Sequence, residues 1–423
     1  MWRGERRDGP AGSGRPGSDA VRATAGVRLA PGPGRLHAPT TVTTMPGTTA
    51  LGATGPHAGP LLLTIVIPAY NEARRLDAGF ARLQRAIDAG AVDPAATELL
   101  VVDDGSTDGT DAVAARLLRP FPHARVLRLP ANAGKGGAIR AGVRASLAPV
   151  VVFCDADMAI DPDQVPLLIS ALAGAEVAIG SRTVAAARGT TVRRRVMGRV
   201  FNQLVNAATA LSIADTQCGF KGFTAGAARL LFHCTVIDGF AFDVELLHLA
   251  RRLGIRIEEV PVRWHNAGGT RIRPVADPLA MAGDLLRSLT GWRAPAPIPT
   301  LTVAATGCGD VVEVARRAAG PLLPILAGDA ATATVLFPLC GRREVEAVAR
   351  RLSEGEPGVA VRAGAVTLAR LRELAPLRLV PPGPMPGGEM AGDDQAGAGR
   401  RAVTNGRASR EGAPGAAAPT PRR

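Results

Sequence analysis

Three short apolar runs each end on a compact polar block: LLLTIVI (Leu61 to Ile67) on PAYNE (Pro68 to Glu72), ELLVV (Glu98 to Val102) on DDGST (Asp103 to Thr107), and VVVFC (Val150 to Cys154) on DAD (Asp155 to Asp157). Apolar runs this short, with little alternation, are what strands covered on both faces look like. Helical patterns separate them, at Glu72 to Ala89 and Asp108 to Leu118, and a further strand, Ala124 to Pro130, leads into the Gly-rich AGKGGAIRAGVRAS and its helix. Helix Pro162 to Ala173 and strand Ala175 to Arg182 continue the alternation. The expected fold is α/β, an open and mostly parallel sheet with crossover helices. Ligands of such sheets bind beyond the carboxyl ends of the strands, where all three polar blocks fall.

Beyond Arg182 the pattern changes. An Arg-rich start, RRRVMGR, runs into FNQLVNAATALSI, followed by an expected loop, DTQCGFKGF, and a helix around FDVELLHLARRL. A strand at Ile255 to Trp264 is expected to rejoin the sheet, HNAGGTRIRP to form a loop and Pro278 to Leu289 a helix. This half is expected to bind the second substrate. Residues 299–380 read as a small C-terminal α/β region, with units such as TLTVAAT then VVEVARRA and no chemistry to assign. Residues 1–60 and 381–423 are rich in Gly, Pro and Arg without apolar periodicity, the mark of disorder, and Met45 offers an alternative start. The main domain is therefore expected over 61–292.

The net charge is +13; the first 60 residues hold 7 arginines against 3 acidic residues and the last segment 6 against 4, leaving +7 for the middle. Such a body favours anionic partners, phosphates or an anionic membrane surface. Nucleic acid is disfavoured by 3% aromatic content and by the lack of any recognisable binding module. Only two lysines occur, Lys135 and Lys221, and one tyrosine, Tyr70, and all three fall in the candidate site loops. In so Arg-biased a chain a retained lysine points to a compact, flexible ammonium. The cysteines, Cys154, Cys218, Cys234, Cys308 and Cys340, lack paired spacing, which argues against a zinc site or a disulfide framework and fits a reducing cytoplasm. No apolar run reaches the roughly 18 residues of a membrane span, and the N-terminal region has no signal-peptide core.

The acidic blocks admit two kinds of chemistry. Asp103 and Asp104 sit where a strand turns into a helix, so one role is to cap free amides; a second carboxylate exceeds that need and can accept from a nucleobase imino group. Asp155 and Asp157, two apart on an extended segment, point to one side and repel unless a cation or proton joins them. Mg²⁺ is commonly held by one or two carboxylates plus substrate phosphates, whereas the alternative is a surface turn. Lys135, in a loop that only loosely resembles a phosphate-binding loop, is a candidate for the diphosphate.

Taken in order, PAYNE, DDGST, NAGKGGAIRAG, DAD, GSR (Gly180 to Arg182), DTQCGFKGF and FDVELL resemble a family 2 glycosyltransferase of the GT-A fold, nearest to the dolichyl- and polyprenyl-phosphate β-glucosyltransferases, over about Thr64 to Leu289. The resemblance implies that Pro68, Tyr70, Glu72 and Asp104 surround the nucleobase and ribose with support from Asp103. It puts Asp155 by the ribose and diphosphate and makes Asp157 the principal ligand of Mg²⁺ or Mn²⁺. It implies inverting transfer of glucose from UDP-glucose to a polyprenyl or dolichyl phosphate, with GDP-mannose as the nearest alternative donor. Lys221, Arg182, Arg271 and Arg273 are then the cations expected around the acceptor phosphate. For a hydroxyl acceptor, Asp243 or Glu245 is a candidate base, with an orienting role as the alternative. A sugar nucleotidyltransferase is disfavoured because PAYNE stands where that class has a Gly-rich loop; a non-catalytic sugar-nucleotide-binding protein is the remaining alternative. Many relatives carry a membrane-spanning C-terminal region, replaced here by 299–380. Membrane contact is therefore expected to be peripheral, on the inner face, through Arg193 to Arg195 followed by Phe201, Leu204, Val205 and Leu211.

Overall fold

The computed structural model describes residues 60–182, 211–265, 295–305, 310–320, 322–328, 332–340, 342–355 and 359–374, with positions 209, 283–284, 377, 379 and 401–402. Arg271, Arg273, the Arg193 to Arg195 cluster, Phe201, Leu204, Val205 and nearly all of both terminal segments lie outside the described residues.

The main sheet is built on β1 (Leu63–Ala69), β2 (Thr97–Asp103), β3 (Ala124–Arg128) and β4 (Val150–Cys154), continued by β5 (Val177–Ser181), β6 (Phe220–Thr224) and β7 (Ile257–Pro261). Their order across the sheet is β7-β5-β6-β4-β1-β2-β3, and a two-residue pairing by Arg401 and Ala402 against β7 extends the edge. β1 runs parallel to both β2 and β4, β2 to β3 and β5 to β7, whereas β6 is antiparallel to its neighbours β4 and β5. The expected open, mostly parallel sheet is thus observed. Every residue of β2 and β4 is buried, because helices cover both faces. α1 (Leu76–Asp88), α2 (Thr110–Leu118) and α4 (Val165–Leu172) pack on one face through Leu76, Leu83, Ala114 and Leu168. α3 (Gly134–Ala145), α5 (Ala225–Cys234) and α6 (Phe242–Arg252) cover the other through Ile139, Val143, Leu231 and Leu246. α3 lies so close to β1 that a Cβ on Gly142 would meet Val66 Cγ1 at 2.4 Å.

Three expectations need correction. DTQCGFKGF is not a loop throughout: Phe220–Thr224 is strand β6, paired from Val150↔Thr224 to Cys154↔Phe220. A lysine and a glycine interrupt its apolar pattern, and the strand forms because β4 and β5 each offer it an edge. Leu211, expected at a membrane interface, is fully buried in the main core. The first helix also begins later, at Leu76 rather than Glu72, because residues 72–75 form a turn in which the Arg75 amide donates to the Glu72 carbonyl at 2.8 Å.

A second sheet follows, of β8 (Ile298–Ala305), β9 (Ile325–Ala327), β10 (Thr332–Leu336) and β11 (Val359–Val366), antiparallel in the order β11-β8-β10-β9. With α7 (Val311–Ala319) after β8 and α8 (Arg342–Gly355) after β10, the chain order is that of a split βαβ plait. Val303, Val314, Val335, Phe337, Val348 and Leu352 form its own core. Ile298 and Leu336, with Leu371 of α9 (Leu368–Glu373) and Leu377, instead join the core of the main sheet.

Candidate functional site

Parallel strands β1, β2 and β4 end at one edge of the sheet, and antiparallel β6 begins there, so PAYNE, DDGST, DAD and Cys218-Gly219 share that edge. Ala69 and Asp103 are in register, and the Asp104 amide donates to the Ala69 carbonyl at 2.8 Å. Asn71 stitches the first two blocks: its amide donates to Ser106 Oγ at 2.9 Å, and its Oδ1 accepts from the Thr107 amide at 2.8 Å. The Glu72 amide adds a bond to Thr110 Oγ1 at 2.8 Å. Pro68 stays within β1, and Tyr70 beyond it presents a ring that is 43% exposed.

The two carboxylates of DDGST have separate tasks. Asp103 is fully buried, accepts from the Ser106 amide at 3.1 Å and lies 3.3 Å from the Arg128 guanidinium, which shapes the turn. Asp104 accepts from the amides of Ala133 and Gly134 at 2.6 and 2.9 Å, and so caps the start of α3 across the sheet edge. Burial pushes its pKa up to about 6 against the opposing pull of those amides.

Lys135, on the first turn of α3, reaches Asp155 at 2.7 Å. Burial disfavours its ammonium, but the charges of Asp155 and Asp243 outweigh burial and its pKa is raised. Asp155 and Asp157 are separated by a tight turn in which Met158, at φ 45°, donates to the Asp155 carbonyl at 2.8 Å. Asp157 accepts from the Ala159 amide at 3.2 Å; burial first, then the neighbouring Asp155 charge, raise its pKa. Gly79 lets α1 seat on this turn, since a Cβ there would lie 2.3 Å from the Ala156 carbonyl oxygen. Gly219 likewise makes room for the Asp155 carboxylate.

The pair suits a hard divalent cation. Both side chains keep solvent access, 43% for Asp155 and 23% for Asp157. Among the described residues no cluster of three ligating side chains exists, and these two carboxylates are what that part of the chain offers. That is the ligand count expected where substrate phosphates and water complete the shell.

Of the residues expected around an acceptor, Arg182 holds Asp215 in a two-toothed ion pair, at 2.6 and 2.9 Å, and its own amide adds a third bond to Asp215 at 3.1 Å. Burial opposes the charge on both partners, yet their pairing raises the pKa of Arg182 and lowers that of Asp215. Lys221 does not lie on an acceptor surface. It is 0% exposed in β6, with its ammonium donating to the Cys218 carbonyl and to Asp243 Oδ1, each at 2.6 Å. The corresponding base role for Asp243 meets the same obstacle, because that carboxylate is buried against Lys221. Glu245 accepts from the amides of Val236 and Ile237 at 3.0 and 2.8 Å and braces the loop before α6. At i,i+2 spacing the two carboxylates point to different sides of α6, but Phe242 to Leu247 is buried all round, so each is taken up by an internal partner.

Four contributors were absent from the sequence-based set. Arg75 forks onto Glu72 and stands 3.9 Å from Asp157, and its signal was the i,i+3 spacing from Glu72. Asp215 and Gly219 lie within DTQCGFKGF but acquire meaning only from β6 beside β4. His265 is brought to the DAD turn by its amide bond to the Ala159 carbonyl at 2.8 Å and points its ring at Asp161, at 2.6 Å.

Comparison with known proteins agrees with this arrangement of blocks. The family model described as glycosyl transferase family 2 matches residues 64–232. A dolichyl-phosphate beta-glucosyltransferase of Drosophila melanogaster is 38% identical over 255 residues, covering 55% of this chain and 77% of the relative. The Homo sapiens protein of the same name is 37% identical over 253 residues, with coverage of 55% and 77%. Among solved structures, glucosyl-3-phosphoglycerate synthase from Mycobacterium tuberculosis, in complex with Mn²⁺, UDP and glucosyl-3-phosphoglycerate, overlaps loosely: 24% identity, TM-score 0.40, 54% of this chain and 78% of that one.

Proposed function

Since the chain belongs to glycosyltransferase family 2, beside the dolichyl-phosphate β-glucosyltransferases, we propose that it transfers glucose from UDP-glucose to a polyprenyl or dolichyl phosphate with inversion, giving a β-linked lipid-phosphate sugar. The observation that carries this reading is the convergence of Tyr70, Asp104, Lys135 and the DAD pair on one sheet edge, where Asp104 accepts from the Gly134 amide beside Lys135 and Lys135 pairs with Asp155.

In this reading Tyr70, Pro68 and Glu72 frame the nucleobase and ribose, while Asp103 and Asp104 hold the loop and the α3 terminus against which they sit. Lys135 faces the diphosphate from the first turn of α3, whose Ala133, Gly134 and Gly136 amides are taken up by Asp104 and by the Asp238 carbonyl. Mg²⁺ or Mn²⁺, held by Asp155 and Asp157, would supply positive charge to the departing diphosphate. A phosphate monoester has a second pKa of about 6, so the acceptor is already a dianion at neutral pH and needs no base. That agrees with Asp243 and Glu245 being engaged elsewhere. An acceptor oxygen forms the new bond to the anomeric carbon as the bond to the diphosphate breaks, and the electron pair leaves with UDP. The chain's contribution is positioning and electrostatics. Arg182, with Arg271 and Arg273, remains the set proposed to meet the acceptor phosphate. A lipid-phosphate acceptor requires a membrane surface, and we place the protein peripherally on its cytoplasmic face; no helix among the described residues is long and apolar enough to cross a membrane.

The deciding experiment is transfer of radiolabelled sugar from UDP-glucose, and in parallel from GDP-mannose, into an organic-extractable polyprenyl phosphate, with Mg²⁺ or Mn²⁺ and with EDTA. Lipid label from UDP-glucose that EDTA abolishes is the expected result. Label from GDP-mannose reassigns the donor, and UDP-glucose binding without lipid label removes the lipid acceptor from the reading.

A further inference from the structure

Each carboxylate of the DAD pair faces a cation from a different block of the sequence. Lys135 meets Asp155 at 2.7 Å, and Arg75 lies 3.9 Å from Asp157. The second cation is firmly placed. The Arg75 amide donates to the Glu72 carbonyl at 2.8 Å, and Nε donates to Glu72 Oε2 at 2.5 Å beside a second contact to Oε1. One turn along α1, Gly79 is seated directly on the DAD turn, so the distance from Arg75 to Asp157 is set by helix packing. The fork on Glu72 uses one edge of the guanidinium and leaves Nη1 as the atom nearest Asp157.

A divalent cation approaching Asp157 therefore meets a positive charge already facing the same oxygen. A guanidinium matches a phosphate as well as a carboxylate, so an arriving diphosphate can exchange with Asp157 as a partner of Nη1. We infer that Arg75 is the resident counter-ion of Asp157: it keeps free divalent cations weakly bound and releases Asp157 to the metal when the donor's diphosphate takes up its Nη1 edge. Metal and nucleotide binding are thereby coupled, and each strengthens the other by the same factor. This rests on the metal reading of Asp155 and Asp157 proposed above.

The test is Mn²⁺ titration of the full chain, followed by electron paramagnetic resonance, with and without UDP. The wild type is expected to bind Mn²⁺ weakly alone and at least tenfold more tightly with UDP. Arg75→Gln should bind Mn²⁺ alone about tenfold more tightly, the order expected for removing one unit charge beside a divalent ion in a solvated site, and should lose most of the gain from UDP. Arg75→Lys should stay close to the wild type. The double variant Glu72→Gln/Arg75→Gln, which leaves no unpaired carboxylate at position 72, should shift in the same direction and guards against misfolding of the single variant. Unchanged or weaker Mn²⁺ binding by both charge-removing variants overturns the inference while leaving the metal site standing. Undiminished Mn²⁺ binding with UDP in Asp157→Asn overturns the metal reading and the inference with it.

Discussion

A β-carbon built on Gly219 would lie 2.1 Å from Oδ2 of Asp155 and 2.5 Å from its Cγ. Both carboxylate and stem would have to move, so the glycine at the start of β6 sets where the first DAD oxygen stands. Gly219→Ala should displace Asp155 from Lys135 and lower kcat/KM by roughly 10²-fold, the usual result of moving a reacting group by about 1 Å. Steady-state kinetics with UDP-glucose and a short polyprenyl phosphate measure it; a loss below threefold would mean that Asp155 is dispensable.

Lys221 and Asp243 form an ion pair inside the sheet, with Phe153 beneath the ammonium at 5.5 Å. Removing one partner strands a buried charge, so Lys221→Met should destabilise the fold by about 3–5 kcal/mol. Lys221→Met/Asp243→Leu should recover most of that loss, because no unpaired charge remains. Urea denaturation of the three proteins decides between this and an acceptor-binding lysine. The latter predicts unchanged stability and a raised acceptor KM in Lys221→Met.

How much of this site was legible in the sequence depended on distance along the chain. The turn chemistry of DDGST and the acidic DAD block could be read locally, because a strand end, a glycine and a carboxylate lie within a few residues. The partners could not. Asp104 caps a helix that starts 30 residues later, and Arg182 finds Asp215 across 33 residues. Lys221 was read as a surface cation because FKGF lacks the alternation of a strand; only insertion of β6 between β4 and β5 turns its side chain into the core. The plait at the C-terminus was visible as strand and helix units, but its antiparallel order depends on pairings between β8, β10 and β11 that no local pattern encodes.

Asp104 titrates where an assay can see it. Its pKa is raised to about 6, so it is ionised at pH 7.5 and takes up a proton as the pH falls below that value. The neighbouring acidic groups, Asp103 and Asp238, add to the rise that burial causes. Protonation weakens the bonds to the amides of Ala133 and Gly134 and loosens the α3 terminus that faces the donor. UDP affinity in the absence of metal, measured by calorimetry, should fall several-fold between pH 7.5 and 5. Asp104→Asn should bind UDP more weakly at pH 7.5 and show a flatter profile; an unaltered profile would assign the titration to another group. Linkage has the opposite sign for folding. The folded state binds the extra proton between about pH 3.8 and 6, so this group's contribution to stability declines as pH rises through that window.

The C-terminal plait is tied to the main sheet by a histidine in one protonation state. His233, at the end of α5, shares a hydrogen bond with the Ala296 carbonyl through Nε2 at 2.9 Å and accepts the Leu339 amide at Nδ1 at 3.0 Å. Accepting at Nδ1 requires the neutral ring with its hydrogen on Nε2. Leu339 holds a left-handed φ of 60° to aim that amide, so the contact has a backbone cost of its own. Burial lowers the pKa of His233, and the nearby charge of Arg140 adds to the effect. Between that lowered value and the ordinary value of about 6.5 the unfolded chain binds more protons, so stability rises with pH across this window and is lost as pH falls through it. His248, whose pKa burial also lowers, shares the sign but bonds only to the Thr209 carbonyl at 3.3 Å in the described contacts. Hydrogen exchange at the Leu339 amide, corrected for intrinsic rate, should therefore show protection at pH 7.5 that is lost only as the pH falls well below the ordinary histidine value of about 6.5. His233→Gln, which retains one acceptor and one donor without a titrating ring, should keep part of the neutral-pH protection and lose its pH dependence. Loss of protection with the wild-type pH profile in that variant would mean that another group controls how the plait is held.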